Sequence, residues 1–255
     1  MVPSSLGKVG IPTEIPAQIL TRFRRISLFN ALSDDEILAM SAKFSLQRFD
    51  RDAFVFYEND LPSETGSRVY FVTEGCVKLV KIATDGEMAI LRLATVGEFF
   101  GVAGALTNRP LPFSAEALTQ TTLLSLPRDA FVSLVNQHPK IALDMLVALG
   151  DVLWLHYETH NQVIKKADAR VGKILLYHLT RDGAIEVAEG LQLKLPLPHD
   201  YIASMTGIAY EESVRIISRL KKQYACIHYS RGGKIVITNL KALRQLADAG
   251  DSFGC

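Results

Sequence analysis

The sequence HDYIASMTGIAYEESVRIISRL, residues 199–220, predicts two short helices joined by a tight turn. Ala203 is small where the two helices would cross closely, and Gly207 follows where the turn requires a positive φ. Four apolar side chains have the spacing to pack between the helices: Ile202, Ile208, Ile216 and Leu220. Ser213 is polar where this packing calls for an apolar residue. The pattern predicts a helix-turn-helix whose second helix spans about residues 210–222.

The residues after this motif predict a β-hairpin. The sequence ACIHYSRGGKIVI, residues 225–237, contains two β-rich runs separated by a turn at Gly232 and Gly233. Arg231 and Lys234 would lie at its tip. Because a helix-turn-helix followed by a basic hairpin is much more specific than either piece alone, the C-terminal region is predicted to be a winged helix-turn-helix.

The charges are distributed unevenly along the chain. Its 255 residues include 28 Lys and Arg against 27 Asp and Glu, and 48% are hydrophobic, a composition that excludes disordered, collagen-like and disulfide-stapled proteins. Residues 1–168 carry a net charge of −3, and residues 169–255 carry +4. Seven basic and two acidic residues fall within Gly207–Lys241. Charge alone fits a polyanion-binding surface and a merely solvated one equally well.

Two residues of the second helix have the chemistry to read a base pair. Glu211 and Arg215 are four positions apart and therefore project from one face. An Arg can donate two hydrogen bonds to O6 and N7 of guanine, and a Glu can accept one from N4 of cytosine. The alternative is a surface salt bridge between them, but the surrounding motif favours base reading. Five basic residues would contact DNA phosphates: Arg219, Lys221, Lys222, Arg231 and Lys234.

The N-terminal half has the pattern of a closed β-structure. Ser33 and Glu36 form a capping-box signature that predicts a helix to about Lys43. Glu74-Gly75 and Asp85-Gly86 have the composition of hairpin turns. Apolar residues on both faces of the strands favour a roll or barrel over an open sheet. The predicted strands span residues 68–73, 76–82, 88–93 and 121–126.

A long helix is predicted after a short one at 128–136. From Pro139 to about Asp168 Gly150 is the one helix breaker, and apolar or pairing residues recur every three or four positions. About 30 residues would extend roughly 45 Å, longer than a small roll can cover, so a homodimer is favoured over a helix lying on its own domain. The predicted seam contains Met145, Leu149, Val152, His156, Thr159 and Val163.

Residues from about 25 to 245 resemble the CRP/FNR family of bacterial transcription regulators. The resemblance rests on YFVTEGCVKL at 70–79, GEFFG at 97–101, the long helix, and the spacing of Gly207, Glu211 and Arg215. Within the family the chain is most similar to the FNR branch, without the cysteines that hold an iron–sulfur cluster there.

The resemblance implies an α+β chain of three parts. Residues 1–138 would form a β-roll sensor domain, a double-stranded jelly roll like that of cyclic-nucleotide-binding domains. Residues 139–168 would form the dimerisation helix and hinge, and residues 169–255 the winged helix-turn-helix.

The resemblance also implies partners and DNA-reading roles. The partners are double-stranded DNA, a second copy of the chain and RNA polymerase. Glu211 and Arg215 would read the G·C pair of a TGA-type core in a palindrome. Tyr210 stands where the cyclic-AMP receptor has another base-reading residue, an arginine.

The effector site departs from the cyclic-nucleotide pattern. Val102 stands where those members have the Glu that binds the ribose, and it cannot accept a hydrogen bond from the 2′-hydroxyl. Phe113 stands where they have an Arg, and it cannot neutralise a phosphate. Cyclic AMP is therefore not expected to bind, and the small-molecule effector is unidentified. The expected effector pocket comprises Gly97, Glu98, Gly101, Val102, Arg109, Phe113 and Ser114.

No cofactor is predicted. Before the last domain the sequence has one cysteine, Cys76, whereas an iron–sulfur cluster takes four thiolates. His156 and His160 are one helical turn apart and could hold haem or a metal, but packed or solvated histidines are the favoured interpretation. The sequence contains no nucleophile elbow, Walker loop, HExxH or dinucleotide motif, so it predicts no enzyme.

Two further expectations follow from the sequence. With no signal-peptide pattern and no apolar stretch long enough to span a bilayer, the chain is expected in the cytoplasm. The alternative function is a ligand-binding or protein-interaction module without sequence-specific DNA binding. Glu212 supports it, because an acidic residue at the start of the second helix would repel phosphate.

Overall fold

The computed structural model describes residues 9–10, 16–60, 67–82, 88–107, 109–160, 166–231 and 233–248, without the side chains of 9–10 and 155–160. The chain divides into two compact units. The first contains the residues up to Gly150 apart from Ala89–Leu91, and the second contains those three and the residues from Asp151 onward.

The first unit is built on two antiparallel sheets and short helices. The sheets have the strand orders β1-β2-β9-β4-β7 and β3-β8-β5-β6. The strands are β1 (Val9–Gly10), β2 (Ser45–Phe49), β3 (Phe54–Phe56), β4 (Arg68–Glu74), β5 (Cys76–Ile82), β6 (Met88–Thr95), β7 (Phe99–Phe100), β8 (Ser114–Ala117) and β9 (Thr121–Pro127). The helices are α1 (Pro16–Phe23), α2 (Asp34–Ser41), α3 (Val102–Thr107) and α4 (Arg128–Gln137), with a 3-10 turn at Ser27–Ala31. Helix α5 (Pro139–His160) begins in this unit, and its residues from Asp151 onward belong to the second.

The first sheet is buried on both faces, which confirms the predicted roll. Along β9, Leu123 packs into the core between the two sheets, whereas Leu124 and Leu126 pack on the opposite face. That opposite face is covered by an aromatic cluster from the N-terminal helices and strands. Its rings lie 4.9 to 5.9 Å apart and belong to Phe23, Phe29, Phe44 and Phe71.

The turn at Glu74-Gly75 is not the predicted hairpin. Strand β4 pairs with β9 and β7, whereas β5 pairs with β8 and neighbours β6, so the turn carries the chain from one sheet to the other. Gly75 has a φ of +82°, and a Cβ there would lie 2.3 Å from the Gln120 carbonyl oxygen. Turn residues mark a change of direction but do not specify the pairing partner. The Asp85-Gly86 turn lies outside the described residues.

The capping box at the start of α2 is confirmed. The Ser33 hydroxyl accepts a hydrogen bond from the Glu36 amide at 3.3 Å, and the Glu36 carboxylate accepts one from the Ser33 amide at 2.7 Å. The bond from the Ser33 amide lowers the pKa of Glu36. The short helix predicted after Pro127 is also confirmed as α4.

Helix α5 is described from Pro139 to His160. Lys166 has extended backbone (φ −58°, ψ 145°) before a new helix that begins at Ala167 and includes Asp168. This break in the helix falls within the segment predicted to contain the long helix and the hinge, residues 139–168.

The predicted seam of α5 also needs correction. Met145 is buried with Ile141 in the core of the first unit, so it cannot belong to an outward seam. Leu149 is 40% exposed and Val152 is partly buried, while Val163 and the side chains of His156 and Thr159 lie outside the described residues. Among the described side chains of α5, the most exposed apolar ones are Leu143, Leu146, Val147, Leu153 and Trp154, each more than half exposed. A regular heptad pattern identifies an apolar stripe on a helix. It does not show whether that stripe packs against the core of the same chain or faces outward.

The second unit confirms the winged helix-turn-helix. Its helices are α6 (Ala167–Arg181), α7 (His199–Thr206), α8 (Tyr210–Lys222) and α9 (Leu240–Asp248). Its sheet has the order β10-β11-β13-β12, with β10 (Ala184–Val187), β11 (Gly190–Leu193), β12 (Ile227–Tyr229) and β13 (Ile235–Ile237). Gly207 ends α7 with a φ of +62°, as the turn requires, and Gly233 has a φ of +73° at the wing tip. Gly232 lies outside the described residues. No helix in the described ranges has the length and apolarity needed to cross a membrane.

Gly75→Ala is expected to destabilise the protein more than Gly233→Ala. Both positions have left-handed backbone, which costs an L-residue about 1 to 2 kcal/mol. Only Gly75 is also crowded, because a Cβ at Gly233 would meet nothing within 4 Å. Urea unfolding should therefore show an additional loss of about 2 kcal/mol for Gly75→Ala. Equal losses of stability for the two variants would contradict a steric requirement for glycine at the Glu74-Gly75 turn.

Candidate nucleic-acid interface

Helix α8 has one buried and one exposed face. Ser213, Ile216, Ile217 and Leu220 are buried against the rest of the second unit. The exposed residues of its N-terminal half form a stripe that is free for a ligand: Tyr210, Glu211, Val214 and Arg215. All three residues predicted to read bases are in this stripe, and Val214 adds an apolar side chain that the sequence analysis did not single out.

A hydrogen bond explains the polar residue at position 213. Ser213 is fully buried, and its hydroxyl donates to the His199 carbonyl at 3.0 Å. The bond joins the first turn of α7 to the first turn of α8. Ser213 therefore links the two helices through a buried hydrogen bond. From the sequence alone, a polar residue at this position indicated a packing defect.

His199 lies where α7, α8 and the wing meet. Its Nε2 is 3.4 Å from the Tyr229 hydroxyl on β12, and its ring lies edge-on to that of Tyr210 at 6.0 Å. Burial lowers the pKa of His199, and the nearby Asp200 carboxylate offsets only part of this effect. The ring is therefore held in its neutral form at ordinary pH. No sequence motif pointed to this role.

Arg215 is paired with Glu212 rather than with Glu211. Its Nε lies 3.5 Å from a Glu212 carboxylate oxygen, and it donates to the backbone carbonyl of Glu211 at 3.3 Å. The Arg215 side chain is 68% exposed, and such surface pairs contribute little free energy. The guanidinium can therefore exchange Glu212 for another acceptor at small cost.

Arg219 has carboxylate partners within its own unit. Its Nη2 lies 2.5 Å from Asp168 on α6 and 3.5 Å from Glu212. The Asp168 carboxylate raises the pKa of Arg219. Arg219 thus differs from the other predicted phosphate contacts, which are exposed or partly exposed and have no ion-pair partner among the described residues: Lys221, Lys222, Arg231 and Lys234.

Helix α6 supports α7 through buried polar contacts. Arg170 donates from Nε to the Thr206 carbonyl at 2.8 Å, near the end of α7. His178 is buried between Asp182, at 2.6 Å, and the Tyr201 hydroxyl, at 2.8 Å. Burial raises the pKa of Asp182, but the hydrogen bonds from His178 and Arg181 outweigh it, so the net pKa lies below the ordinary value.

Two residues of the expected effector pocket, Val102 and Phe113, pack in different cores. Val102 is buried in the core on the helix-covered face of the first sheet, whereas Phe113 packs in the roll interior, 6.0 Å from Phe56. The Glu98 carboxylate accepts a hydrogen bond from the Thr95 amide at 2.7 Å. Gly97 and Gly101 both have positive φ, the Ser114 hydroxyl accepts from the Glu58 amide, and Arg109 is exposed.

Aromatic rings fill the roll interior. Tyr70 and Phe100 stack with centroids 5.1 Å apart, and Phe56 contacts both of them as well as Phe113. Burial raises the pKa of the Tyr70 hydroxyl, which favours its neutral form. The interior is therefore apolar and aromatic at Phe113, the position where the cyclic-nucleotide pattern has a phosphate-binding Arg.

The structure gives no support to metal binding by the described residues. No group of three or more His, Cys, Asp or Glu side chains in that part of the chain is placed to hold a metal ion. Cys76 is buried in β5, and burial raises the pKa of the Cys226 thiol. The side chains of His156 and His160 lie outside the described residues.

Comparison with known protein families identifies a domain in each of the two units. A model of the cyclic nucleotide-binding domain matches residues 46–138, and a model of the Crp-like helix-turn-helix domain matches residues 169–246. The chain belongs to the CRP/FNR family of transcription regulators. This CRP/FNR regulator is accordingly a DNA-binding protein, and its curated relatives are regulators rather than enzymes.

Individual relatives are distant but cover most of the chain. The Global nitrogen regulator of Synechocystis is 28% identical over 69% of this chain and 78% of its own length. The CRP-like cAMP-activated global transcriptional regulator of Mycobacterium tuberculosis is 27% identical over 73% of this chain and 82% of its own. The structure of a CooA mutant from Carboxydothermus hydrogenoformans has a TM-score of 0.66 at 22% identity and covers 88% of this chain and 95% of its own, which shows a shared fold.

His199 is expected to make the second unit less stable in mild acid. Because its pKa in the folded protein lies below the ordinary value of 6.5, the unfolded state binds more protons, and stability falls as the pH drops below about 6.5. Urea unfolding followed by circular dichroism between pH 7.5 and 5.5 should show a smaller loss for His199→Gln than for the unaltered chain. The same pH dependence in both would contradict this role.

Proposed function

We propose that this CRP/FNR regulator is a homodimer that reads a TGA/TCA-type palindrome with α8, and that its β-roll responds to an effector other than cyclic AMP. The observation that carries the DNA-reading role is the exposed stripe on α8. It presents Glu211 and Arg215 together, while the opposite face of the same helix is fixed by buried contacts.

The side chains of the stripe match the base edges of a TGA core. Arg215 can donate to O6 and N7 of guanine once it leaves Glu212, and Glu211 can accept from N4 of the paired cytosine. Val214, 38% exposed, is suited to the methyl group of thymine. Lys221, Lys222, Arg231 and Lys234 would contact phosphates and set the register.

Glu212, the acidic residue that supported a function without DNA binding, is paired with basic residues of its own helix. Glu212 forms ion pairs with both Arg215 and Arg219, each at 3.5 Å, so its charge is offset within the helix. Its repulsion of phosphate is correspondingly reduced. This contact favours DNA reading over a protein-interaction module.

Arg215→Ala should abolish discrimination at one base pair. We expect the preference for a TGA-N-TCA palindrome over the same DNA with the G·C pair inverted to fall by about 1 to 3 kcal/mol, roughly 5- to 150-fold. The measurement is fluorescence anisotropy across a salt series, with and without the substitution.

The matched control for that experiment is Lys222→Ala. It removes a positive charge from the end of the same helix and should weaken binding to palindromic and scrambled DNA alike. If Arg215→Ala behaved in the same way, Arg215 would be a phosphate contact and the proposed reading of the palindrome would be wrong.

Exposed apolar side chains on α5 support a homodimer. Leu143, Leu146, Val147, Leu153 and Trp154 are each more than half exposed, which is unusual for so many large apolar residues on one helix. A second copy packing on α5 would remove them from water. A two-fold dimer would also present two recognition helices to successive major grooves about 34 Å apart.

Leu146→Glu is expected to weaken the dimer at least tenfold, because it places a charge in an apolar contact. Leu106→Glu is the control, since Leu106 is 54% exposed on α3 and not on α5. Sedimentation over a concentration series should show monomer for the first variant at concentrations where the second stays dimeric. A dimer unaffected by Leu146→Glu would rule out this face.

Cyclic AMP is not expected to bind with micromolar affinity. Phe113 replaces the phosphate-binding Arg of the cyclic-nucleotide pattern, and Val102 is buried in a different core from Phe113. Isothermal titration calorimetry of the purified chain with cyclic AMP should give no saturable heat. A micromolar dissociation constant would contradict the proposal.

The remaining parts of the proposal rest on the sequence and the family. RNA polymerase is the proposed protein partner, because transcription regulators of this family act on it. No haem, iron–sulfur cluster or metal is assigned to the chain, on the cysteine and histidine arguments given above.

A further inference from the structure

One end of the roll interior is polar. Ser45 on β2, Ser125 on β9 and Tyr70 on β4 are in register across three strands of the first sheet. This row faces the roll interior, because Tyr70 packs in its core together with Leu123, two positions before Ser125. Arg68 precedes Tyr70 by two positions on β4 and therefore lies on the same face. A cation thus stands beside the aromatic rings of the interior.

The Arg68 guanidinium is held in place by neutral groups. Its Nε donates to the Ser125 hydroxyl at 3.1 Å, and its Nη2 donates to the Ser45 hydroxyl at 3.1 Å and to the Ser125 carbonyl at 3.2 Å. These bonds draw the guanidinium over the row that contains Tyr70. Within the described ranges Nη1 donates to no acceptor, so one of the two terminal nitrogens is unused.

No carboxylate of the described residues forms an ion pair with Arg68. The other partly buried arginines described in the first unit, Arg22, Arg92 and Arg128, each lie within 3.1 to 3.7 Å of a carboxylate oxygen. Burial lowers the pKa of Arg68, and Tyr70 rather than a carboxylate opposes this effect. Because a cation withdrawn from water is costly without a counter-ion, the position favours an anionic ligand.

The Tyr70 hydroxyl is a second unused donor beside Arg68. Tyr70 is 7% exposed, and its hydroxyl has no hydrogen-bond partner in the part of the chain that the structure describes. Burial raises the pKa of this hydroxyl, so it keeps its proton and can donate. Arg68 and Tyr70 each influence the pKa of the other, as expected for groups that lie close together. An oxyanion bound between them would accept from both.

The surroundings favour a ligand with one negative charge and an apolar body. A single guanidinium compensates one charge. Beside burial, the Asp60 carboxylate also raises the pKa of Tyr70, so a second negative charge at this place would be repelled. The Tyr70 ring stacks on Phe100 at 5.1 Å and contacts Phe56 at 5.6 Å, so a ligand that extends into the roll would meet aromatic rings. Arg68 is partly exposed, so the roll is not closed over it.

We propose that this end of the roll binds the carboxylate of a small, largely apolar acid, with Arg68 donating from Nη1 and Tyr70 from its hydroxyl. Arg68 lies on the first sheet, whereas Phe113, where the cyclic-nucleotide pattern has its phosphate-binding Arg, directly precedes β8 of the second sheet. The proposal names a chemical class for the effector and in that respect rests on the proposed effector response of the roll. Binding itself is measured without DNA.

Isothermal titration calorimetry of the full chain with benzoate tests the site, at a constant pH and ionic strength. We expect saturable binding at one site per chain. Benzamide, which has a similar shape but no charge, should give no saturable heat, and inorganic phosphate, largely a dianion in mildly alkaline buffer, should bind more weakly than benzoate. Benzamide binding as tightly as benzoate, or phosphate binding more tightly, would overturn the assignment to a carboxylate.

Two substitutions locate the site. Arg68→Gln should weaken benzoate binding by roughly tenfold or more, and Tyr70→Phe, which keeps the ring and removes only the hydroxyl, by about threefold to tenfold. Arg48→Gln is the control for charge, because Arg48 is exposed and alternates with Ser45 and Gln47 on the opposite face of the same sheet. Tyr224→Phe is the control for the hydroxyl, since Tyr224 is 43% exposed in the second unit. Both controls should bind benzoate as the unaltered chain does.

The outcomes separate the site from its role. No saturable heat with benzoate, or unchanged binding by both Arg68→Gln and Tyr70→Phe, would overturn the site. Fluorescence anisotropy on the palindrome with and without benzoate tests the effector role, for which we expect a change in DNA affinity that Arg68→Gln removes. Benzoate bound at the site without any such change would overturn the effector role alone. Failure to discriminate the palindrome, with benzoate still bound, would contradict only the DNA-reading proposal.

Discussion

The orientation of α8 depends on its buried face, where one hydrogen bond to α7 accompanies three buried apolar side chains. The Ser213 hydroxyl donates to the His199 carbonyl in a site that is closed to water. A buried hydroxyl without a partner costs about 1 to 3 kcal/mol, so the bond strongly favours one rotation of α8 about its axis. A rotation by one residue would turn Ser213 out and bring Glu212 or Val214 into the core. Arg215 and Glu211 face outward together because Ser213 faces inward.

A chain of charges completes that arrangement. Asp168 at the start of α6 holds Arg219, Arg219 approaches Glu212, and Glu212 approaches Arg215. Acidic residues in the first turn of a helix are also favoured by its dipole. Glu212 thus keeps the guanidinium of Arg215 near the start of the helix without a strong bond. Arg215, the proposed base-reading residue, is therefore oriented in the absence of DNA, and only a weak surface ion pair would have to break for it to contact a base.

Local signals in the sequence predicted the elements well, and contacts between distant residues were the source of the errors. The capping box at Ser33, the left-handed Gly207 and the limits of α8 depend on neighbours within a few positions, and each was predicted. Met145 was misplaced because its burial depends on where the roll lies. Glu74-Gly75 was misread because a turn does not reveal the sheet that receives the next strand. The ion pair between Asp168 and Arg219 spans 51 positions and left no pattern in the sequence.

The first sheet shows why a match to a cyclic nucleotide-binding domain identifies a fold without naming a ligand. Its interior face is stabilised by any set of side chains that fills it, and here Tyr70, Phe100 and Phe113 do so. Ligand choice rests on a few positions that the fold does not require, so it can change while the strands stay in place. The opposite face of the same sheet shows that a local change can rearrange polar side chains while the strand order is kept. One bulge before Glu74 turns its carboxylate towards Arg22 and Arg25 without any change in strand order.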